Sequence, residues 1–308
     1  MESHGEFGMQ ALFPPGAAGA LKHDRVILYP HVHRDIGLGI TLKVAEILQQ
    51  WAKYVVICPV LDDVGDMVLP SSNFKIADFE EELPNADMVI TFGGDGTILR
   101  AARTAAEYEV PILGINMGSK GFMAELEMDE VELVSSVATG AFEIETRMML
   151  DAELVRGGQI IHRDFALNDV VIRGYNKVID LSLFGDGQMI SSFVGDGAVI
   201  ATPTGSTAYS MSAGGPIVEP TSHNIIVTPI CAHVLEAKPF VLVSDRHVTI
   251  EIGHEKNNQA YISADGCDRI EIYSGDIVNV MKSQKNTRLV RLSGRSFYSK
   301  VSEKLRER

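Results

Sequence analysis

Cysteine is scarce in this chain. Its three cysteines, Cys58, Cys231 and Cys267, lie far apart and lack the spacing of metal ligands. That speaks against a disulfide scaffold or a cysteine metal site, and leaves small buried or half-buried residues in a reducing compartment. Long apolar runs are absent as well, and none approaches the length of a membrane-spanning helix. Basic residues are outnumbered: 27 Lys and Arg against 41 Asp and Glu give a formal net charge of −14. A field of that sign repels a phosphate-rich polymer, so nucleic acid is not an expected partner, although a local basic loop can still hold a small anion. There is no Gly-x-Ser-x-Gly elbow, and His233 has no acid partner that sequence identifies, so a serine hydrolase is not supported. Residues 1–21 carry Pro14-Pro15 among Gly and Ala but no cationic start before a long apolar core. They read as a disordered tail or an expression scar rather than a signal peptide, and a cytoplasmic location is the default expectation.

What is present is a strand–helix alternation followed by a β-rich half. At 308 residues the chain is long enough for two domains, and its 45% hydrophobic and 22% charged content is ordinary for a globular protein. Val26 to Tyr29, ended by Pro30, reads as a buried parallel strand, and Ile40, Val44, Ile47, Leu48 and Trp51 fall on one helix face. Strands are expected at Tyr54 to Val60, Met88 to Phe92 and Val110 to Ile115. An acidic, irregular stretch through Asp63, Asp66 and Glu80 to Glu82 separates the first two of these. Ile98, Leu99, Ala102, Ala105 and Ala106 mark a second helix, and a short helix over Asp129 to Ala138 stops at Gly140. This alternation predicts an α/β N-terminal domain over residues 22–142 with a doubly wound parallel sheet. From Phe142 onward the period changes to two. Ile179, Leu181 and Leu183 alternate before a Gly185-Asp186-Gly187 turn. Val248, Ile250 and Ile252 alternate, as do Ile270 and Ile272, Ile277 with Asn279, and Leu289 with Arg291. The expectation is a β-rich, sandwich-like domain over 143–292, with a hinge near 140–146 and one interrupting helix near Thr207. The tail 293–308, with a short helix from Phe297, is expected to return to the first domain.

Thr91-Phe92-Gly93-Gly94-Asp95-Gly96-Thr97 follows the strand Met88-Val89-Ile90 and opens a helix. Three glycines around one carboxylate at such a turn let backbone N–H groups approach a phosphate while an acid projects into the same space. Asp95 there accepts an alcohol proton or holds Mg²⁺. Gly93, Gly94, Thr97 and Arg100 are the candidate phosphate-binding residues; Thr97 alternatively caps the helix, and Arg100 alternatively is a solvated surface charge. A second loop, Asn116 to Gly121, also follows a strand, and its Lys120 is either a phosphate contact or solvated. Asn168-Asp169 offers donors and acceptors suited to ribose hydroxyls, though a plain Asn-Asp turn is the preferred reading from spacing alone. Gly195-Asp196-Gly197 leads through an apolar strand into Pro203-Thr204-Gly205-Ser206-Thr207-Ala208-Tyr209-Ser210-Met211-Ser212, then Gly214-Gly215-Pro216. That run carries more hydroxyls than one helix cap requires, and its small residues let a flat ligand approach the backbone. Asp265-Gly266 reads as a hairpin turn, and His31 and His33 as loop residues.

In order and spacing, these motifs resemble the NAD kinases of bacterial type, over about residues 25 to 300. The Gly-Gly-Asp-Gly turn alone is shared with lipid kinases and 6-phosphofructokinases; the Thr-Pro-Thr-Gly-Ser-Thr-Ala-Tyr-Ser run is the specific part. The resemblance implies an α/β domain and a β-rich domain with the active site in the cleft between them. It implies transfer of a phosphoryl group from ATP, or in some members polyphosphate, to the adenosine 2′-hydroxyl of NAD, giving NADP. Mg²⁺ or another divalent cation would accompany ATP, with no tightly bound metal. Asp95 would be the general base. Asp95, Gly96, Asn168, Asp169, Asp196, Thr207, Ala208, Tyr209, Ser210, Met211 and Ser212 would contact NAD, with Tyr209 against an adenine and Asp196 at the nicotinamide end. A homodimer or homotetramer is implied by the same analogy. Two positions depart from the family pattern. The usual Asn-Glu pair is Asn168-Asp169, one methylene shorter, and Val194 stands where many members carry Arg or Lys. The competing readings are a lipid or sugar kinase with the same glycine turn, and a catalytically silent dinucleotide-binding module.

Overall fold

Continuous apolar runs of four to six residues need cover on both faces, and the N-terminal half supplies it. In the computed structural model, residues 25–60, 74–118, 121–234, 236–253, 260–292 and 296–306 are described. Strands β1 (Arg25–Pro30), β2 (Tyr54–Ile57), β3 (Lys75–Ile76), β4 (Met88–Gly93), β5 (Ile112–Asn116) and β6 (Leu126–Glu127) pair in parallel. The order along this part of the sheet is β5-β4-β1-β2-β3. Helix α1 (Gly39–Leu48) sets Val44, Ala45 and Leu48 against Leu28, Ile57 and Ile90 on one face. On the other, α2 (Phe79–Glu82) and α3 (Asp95–Ala105) set Phe79, Ile98, Ala101 and Ala102 against Ile27, Val56 and Val89. The sheet is doubly wound, as its alternation implied. The ends of elements differ from the expectation. Helix α1 stops at Leu48, leaving Trp51 in the following turn, and β2 stops at Ile57, with Val60 bridging back to His31. Glu80 to Glu82 are helical rather than irregular, because the Asp78 carboxylate accepts from the N–H groups of Glu80 and Glu81. Asp63 and Asp66 lie outside the described residues. The segment after β6 is a 3-10 helix over Met128–Val134 followed by one α turn, α4 (Ser135–Ala138), and Gly140 ends it at φ 70°.

The second half is a sandwich. Its strands are β7 (Glu143–Arg156), β8 (Gln159–Ala166), β9 (Asp169–Gly174), β10 (Ile179–Gly185), β11 (Gln188–Gly195) and β12 (Gly197–Ala201). They continue as β13 (Asn224–Ile230), β14 (Phe240–Val243), β15 (Val248–Ile252), β16 (Ala260–Ala264), β17 (Ile270–Ile272) and β18 (Ile277–Arg291). One layer is antiparallel in the order β14-β13-β12-β9-β16-β17; the other holds β7, β8, β10, β11, β15 and β18. Leu150, Leu181, Ile250 and Val280 from the latter meet Ile172, Ile200, Val227 and Ile262 from the former.

The second layer is not a separate sheet. Strand β18 pairs with β7 along its length and with β5 at Leu289–Ile112, so a single 12-stranded sheet runs through both halves. The alternations at Ile277–Asn279 and Leu289–Arg291 belong to this one strand, whose register shifts between Lys282 and Asn286. Helix α6 (Phe297–Arg306) follows, and Lys300 Nζ donates to the Ala124 carbonyl at 2.7 Å. The helix expected near Thr207 is shorter than its sequence suggested: a 3-10 turn, Gly205–Thr207, then a single turn, α5 (Tyr209–Ser212), interrupted at Ala208. Its hydroxyls bond to neighbouring segments instead of capping a long helix. Cys58 is buried, but Cys231 and Cys267 are exposed, because each follows the end of a strand where the chain turns. No helix among the described residues is long and apolar enough to cross a membrane.

Candidate active site

Asp95 is the first residue of α3, directly beyond the C-terminal end of β4. No side chain caps this helix; the Thr97 N–H turns back to the Gly94 carbonyl at 3.0 Å, and the Asp95 and Gly96 N–H groups ahead of it are the ones placed to meet a ligand. The carboxylate is held from one side: Oδ2 accepts from Phe122 N–H at 2.7 Å and Oδ1 from Met123 N–H at 3.0 Å. Each oxygen retains a further lone pair. Gly121 permits this approach, since a Cβ there would collide with the Asp95 carboxylate. Gly93 has a packing reason of its own. A Cβ at Gly93 would collide with Thr97, so that glycine makes room for a buried threonine.

Two cavities meet at Asp95. The larger, about 380 Å³, is lined by Gly94, Asp95, Gly96, Thr97 and Arg100 of the glycine turn, with Gly121. His31, read from the sequence as a loop residue, lines it too, with Arg34 and Lys304, which the sequence did not single out. Three cations around one carboxylate, in a chain of net charge −14, make a local site for a polyanion. The Arg34 guanidinium packs beside Gly94 and Gly118 and brings its charge onto both glycine loops. Burial, and then the Arg34 charge, push the His31 imidazole below its ordinary pKa and keep it neutral near pH 7. Lys120 lies outside the described residues.

The smaller cavity, about 160 Å³, is lined by Asp95, Asn168, Thr207, Ala208 and Met211, five of the residues named from the sequence as NAD contacts. Phe122, Met123, Thr204, Ile217, Val301 and Lys304 complete it. Asn168 and the Thr204 turn, far apart in sequence, are in contact: a Cβ at Gly205 would collide with the Asn168 carbonyl, and Thr202 Oγ1 donates to the Leu167 carbonyl at 2.6 Å.

Several expected contacts line neither cavity: Gly93, Asp169, Asp196, Tyr209, Ser210 and Ser212. Ser210 is buried with its hydroxyl 2.9 Å from that of Thr228, and Ser206 exchanges hydrogen bonds with the Val218 backbone. The hydroxyl density of this run therefore builds the wall more than it faces into the cavity. Asp169 is buried, and its carboxyl is pushed up to about 7 by burial and by the Asp265 charge. Asp265 itself accepts from the N–H groups of Leu167, Asn168 and Asp169 at 2.8, 2.7 and 3.1 Å. Burial pushes the Asp265 carboxyl up as well, and those three donors partly offset the push by favouring its ionised form. Asp265-Gly266 is a turn, as read, but its carboxylate also fixes the Asn168 segment. Asp196 lies 4.0 Å from Arg173, which brings from β9 a cation where Val194 supplies none.

A charged cluster supports the segment that holds Asp95. Arg291 Nη1 donates to the Met123 carbonyl at 2.9 Å, and its guanidinium pairs with Glu125 and Glu145. Arg147, 4% exposed, pairs with Glu145 and donates to Thr204 Oγ1 at 3.1 Å. The sequence trace of this cluster is arginine at positions of strand pattern; Arg147 meets Glu145 two residues away on its own strand, whereas Arg291 reaches Glu125 and Glu145 across 166 and 146 residues. No group of three His, Cys, Asp or Glu that could hold a metal ion occurs among the described residues.

Family models match both halves: ATP-NAD kinase N-terminal domain over residues 41–141 and ATP-NAD kinase C-terminal domain over 167–292. The chain belongs to the NAD kinase family. An NAD kinase of Ruminiclostridium cellulolyticum is 40% identical over 253 residues, covering 79% of this chain and 88% of its own. One of Natranaerobius thermophilus is 38% identical over 283 residues, covering 90% and 96%. Among solved structures, yeast NADH kinase complexed with NADH superposes with a TM-score of 0.79 at 25% identity, covering 92% of this chain and 87% of that one. An NAD kinase from Archaeoglobus fulgidus in complex with ATP gives 0.67 at 26%, covering 92% and 98%. The glycine turn lies in the segment matched by the N-terminal model and the Thr-Pro-Thr-Gly-Ser-Thr run in that matched by the C-terminal model, and a lipid or sugar kinase is not favoured.

Proposed function

We infer that Asp95 acts as the general base at the boundary between a donor cavity and an acceptor cavity. The chain is an enzyme of the NAD kinase family and phosphorylates NAD, giving NADP. The finer reading is how. MgATP occupies the larger cavity, with its phosphates on the open N–H groups of α3 and against Arg34 and Arg100. The adenosine ribose of NAD enters the smaller cavity past Asn168, Thr207, Ala208 and Met211. Its 2′-hydroxyl meets the γ-phosphate beside Asp95, which takes the hydroxyl proton. The amides of Phe122 and Met123 hold the carboxylate in place. A base so positioned typically contributes about 10²- to 10⁴-fold in rate, and fixing both reactants contributes more. The observation that carries the reading is that Asp95 lines both cavities.

Residues 22–142 and 143–292 remain our division into donor-side and acceptor-side domains, with the site in the cleft between them. A homodimer or homotetramer in the cytoplasm completes the reading; light scattering on the purified protein tests the assembly. The activity is tested by a donor-by-acceptor matrix: ATP, other nucleoside triphosphates and polyphosphate, each with a divalent cation, against NAD and NADH. NADP from MgATP and NAD is the expected product. Product from a sphingoid base, diacylglycerol or fructose 6-phosphate, with none from NAD, would overturn the reading. NAD binding by calorimetry with no turnover would make the chain a silent binding module.

A further inference from the structure

Among the described residues, two line both cavities, Asp95 and Lys304. Arg34 and Arg100 line the donor cavity alone, and Lys304 is, among the described residues, the one cation on the wall of the acceptor cavity. We propose that Lys304, delivered by the C-terminal helix α6, is a further catalytic residue that stabilises the phosphoryl group during transfer. The proposal rests on the assignment of the two cavities to ATP and NAD.

The position of Lys304 is fixed by the helix that carries it. At the start of α6, the Phe297 ring meets the Phe122 ring, with centroids 6.5 Å apart. One turn before Lys304, on the same helix face, Lys300 Nζ donates to the Ala124 carbonyl at 2.7 Å. The Lys304 ammonium then lies 4.4 Å from the centroid of the Phe122 ring. Phe122 is also the residue whose N–H holds Asp95 Oδ2. One short segment, 121–124, thus carries the contacts of the carboxylate on one side and of the ammonium on the other.

The chemistry requires a group of each kind at this boundary. The 2′-oxygen of NAD forms a bond to Pγ while the bond from Pγ to the β–γ bridging oxygen breaks. The electron pair of that bond leaves with ADP, and the hydroxyl proton passes to Asp95. Negative charge is carried throughout on the oxygens of the phosphoryl group in flight, and a fixed cation beside that path lowers the barrier. Because Lys304 faces both cavities, it can follow the phosphoryl group from one cavity to the other, which Arg34 and Arg100 cannot.

The test compares Lys304→Met, Lys304→Arg and Lys304→Ala in the full-length enzyme with MgATP and NAD. Methionine keeps the apolar stem and the helix propensity while removing the charge. The expected result is a fall in kcat of about 10²-fold for Lys304→Met, with KM for NAD changed less than about threefold. Lys304→Arg is expected to retain more activity than Lys304→Met. Ethylammonium added to Lys304→Ala is expected to raise kcat saturably, a readout that a purely structural lysine would not give. Thermal unfolding of each variant, at or near the parent temperature, separates loss of chemistry from loss of fold. A Lys304→Met enzyme with kcat within about threefold of the parent would overturn the proposal while leaving the NAD kinase reading intact. So would a loss confined to KM for NAD. Failure of the parent enzyme to make NADP would overturn both.

Discussion

The two cavities share a wall at Asp95 but are built by opposite means. The donor cavity gathers charge from separate segments: Arg34 after β1, Arg100 from α3 and Lys304 from α6. Glycines 94, 96 and 121 keep its floor low. The acceptor cavity is neutral apart from the two shared residues, and presents Asn168, Thr207, Ala208, Met211 and Ile217. On the proposed assignment, a triphosphate would be met by field, and a nucleoside by shape and a few hydrogen bonds. The difference also explains the hydroxyl-rich run. Thr202, Ser206 and Ser210 bond to Leu167, Val218 and Thr228, so they hold the acceptor wall rigid instead of reaching into it.

The largest effect short of losing Asp95 itself is expected where the two sides share a support. Gly121→Ala places a Cβ against the Asp95 carboxylate, which must then move off its two amides. Turnover should fall about 10²-fold or more, because a displacement near 1 Å at the reacting atoms has that effect. Overpacking should cost only about 1–3 kcal/mol of stability, so a folded but slow enzyme, seen by steady-state kinetics beside a thermal melt, is the expected outcome.

Smaller effects should separate the cavities. Arg34→Ala removes one charge from the donor side and should raise KM for ATP about tenfold, leaving KM for NAD nearly unchanged. Ala208→Leu fills part of the acceptor cavity and should do the reverse, raising KM for NAD about tenfold. If either variant shifts both constants equally, the division into donor and acceptor sides fails.

The smallest effect concerns pH. Asp169 holds its proton up to about 7 in the fold, against a usual value of 3.8. Between those values the folded chain binds a proton that the unfolded chain has released, so stability falls as pH rises through the window and levels above it. Differential unfolding from about pH 5 to 8 should show a weaker pH dependence for Asp169→Asn than for the parent. An unchanged slope would mean that Asp169 is ionised throughout.

Much of the fold was legible because its signals are local. Buried strands, the α3 stripe and the alternation at Ile179, Leu181 and Leu183 each show their period within one element. The continuity of β18 was hidden, because Lys282-Ser283-Gln284-Lys285-Asn286 breaks the alternation at its register shift. The acceptor helix was overestimated, since a cluster of hydroxyls looks the same whether it faces ligand or protein. Asp95 and most of the glycine turn stood out in sequence. Lys304, Arg34 and Arg291 did not, for lone cations carry no pattern until the fold sets them beside partners. Asp265 reaches Asn168 across 97 residues, and Arg291 reaches Met123 across 168. A turn signal at Asp265 was visible; the three amides it holds were not.

The central claim is that Asp95 takes the proton of an acceptor hydroxyl at the junction of the two cavities. Rapid-quench measurement of NADP formation by Asp95→Asn, with ATP and NAD both saturating, tests it most directly. The account predicts a rate about 10³-fold or more below that of the parent, with calorimetry still showing both substrates bound and the melting temperature little changed. A variant that forms NADP within about tenfold of the parent rate would contradict it.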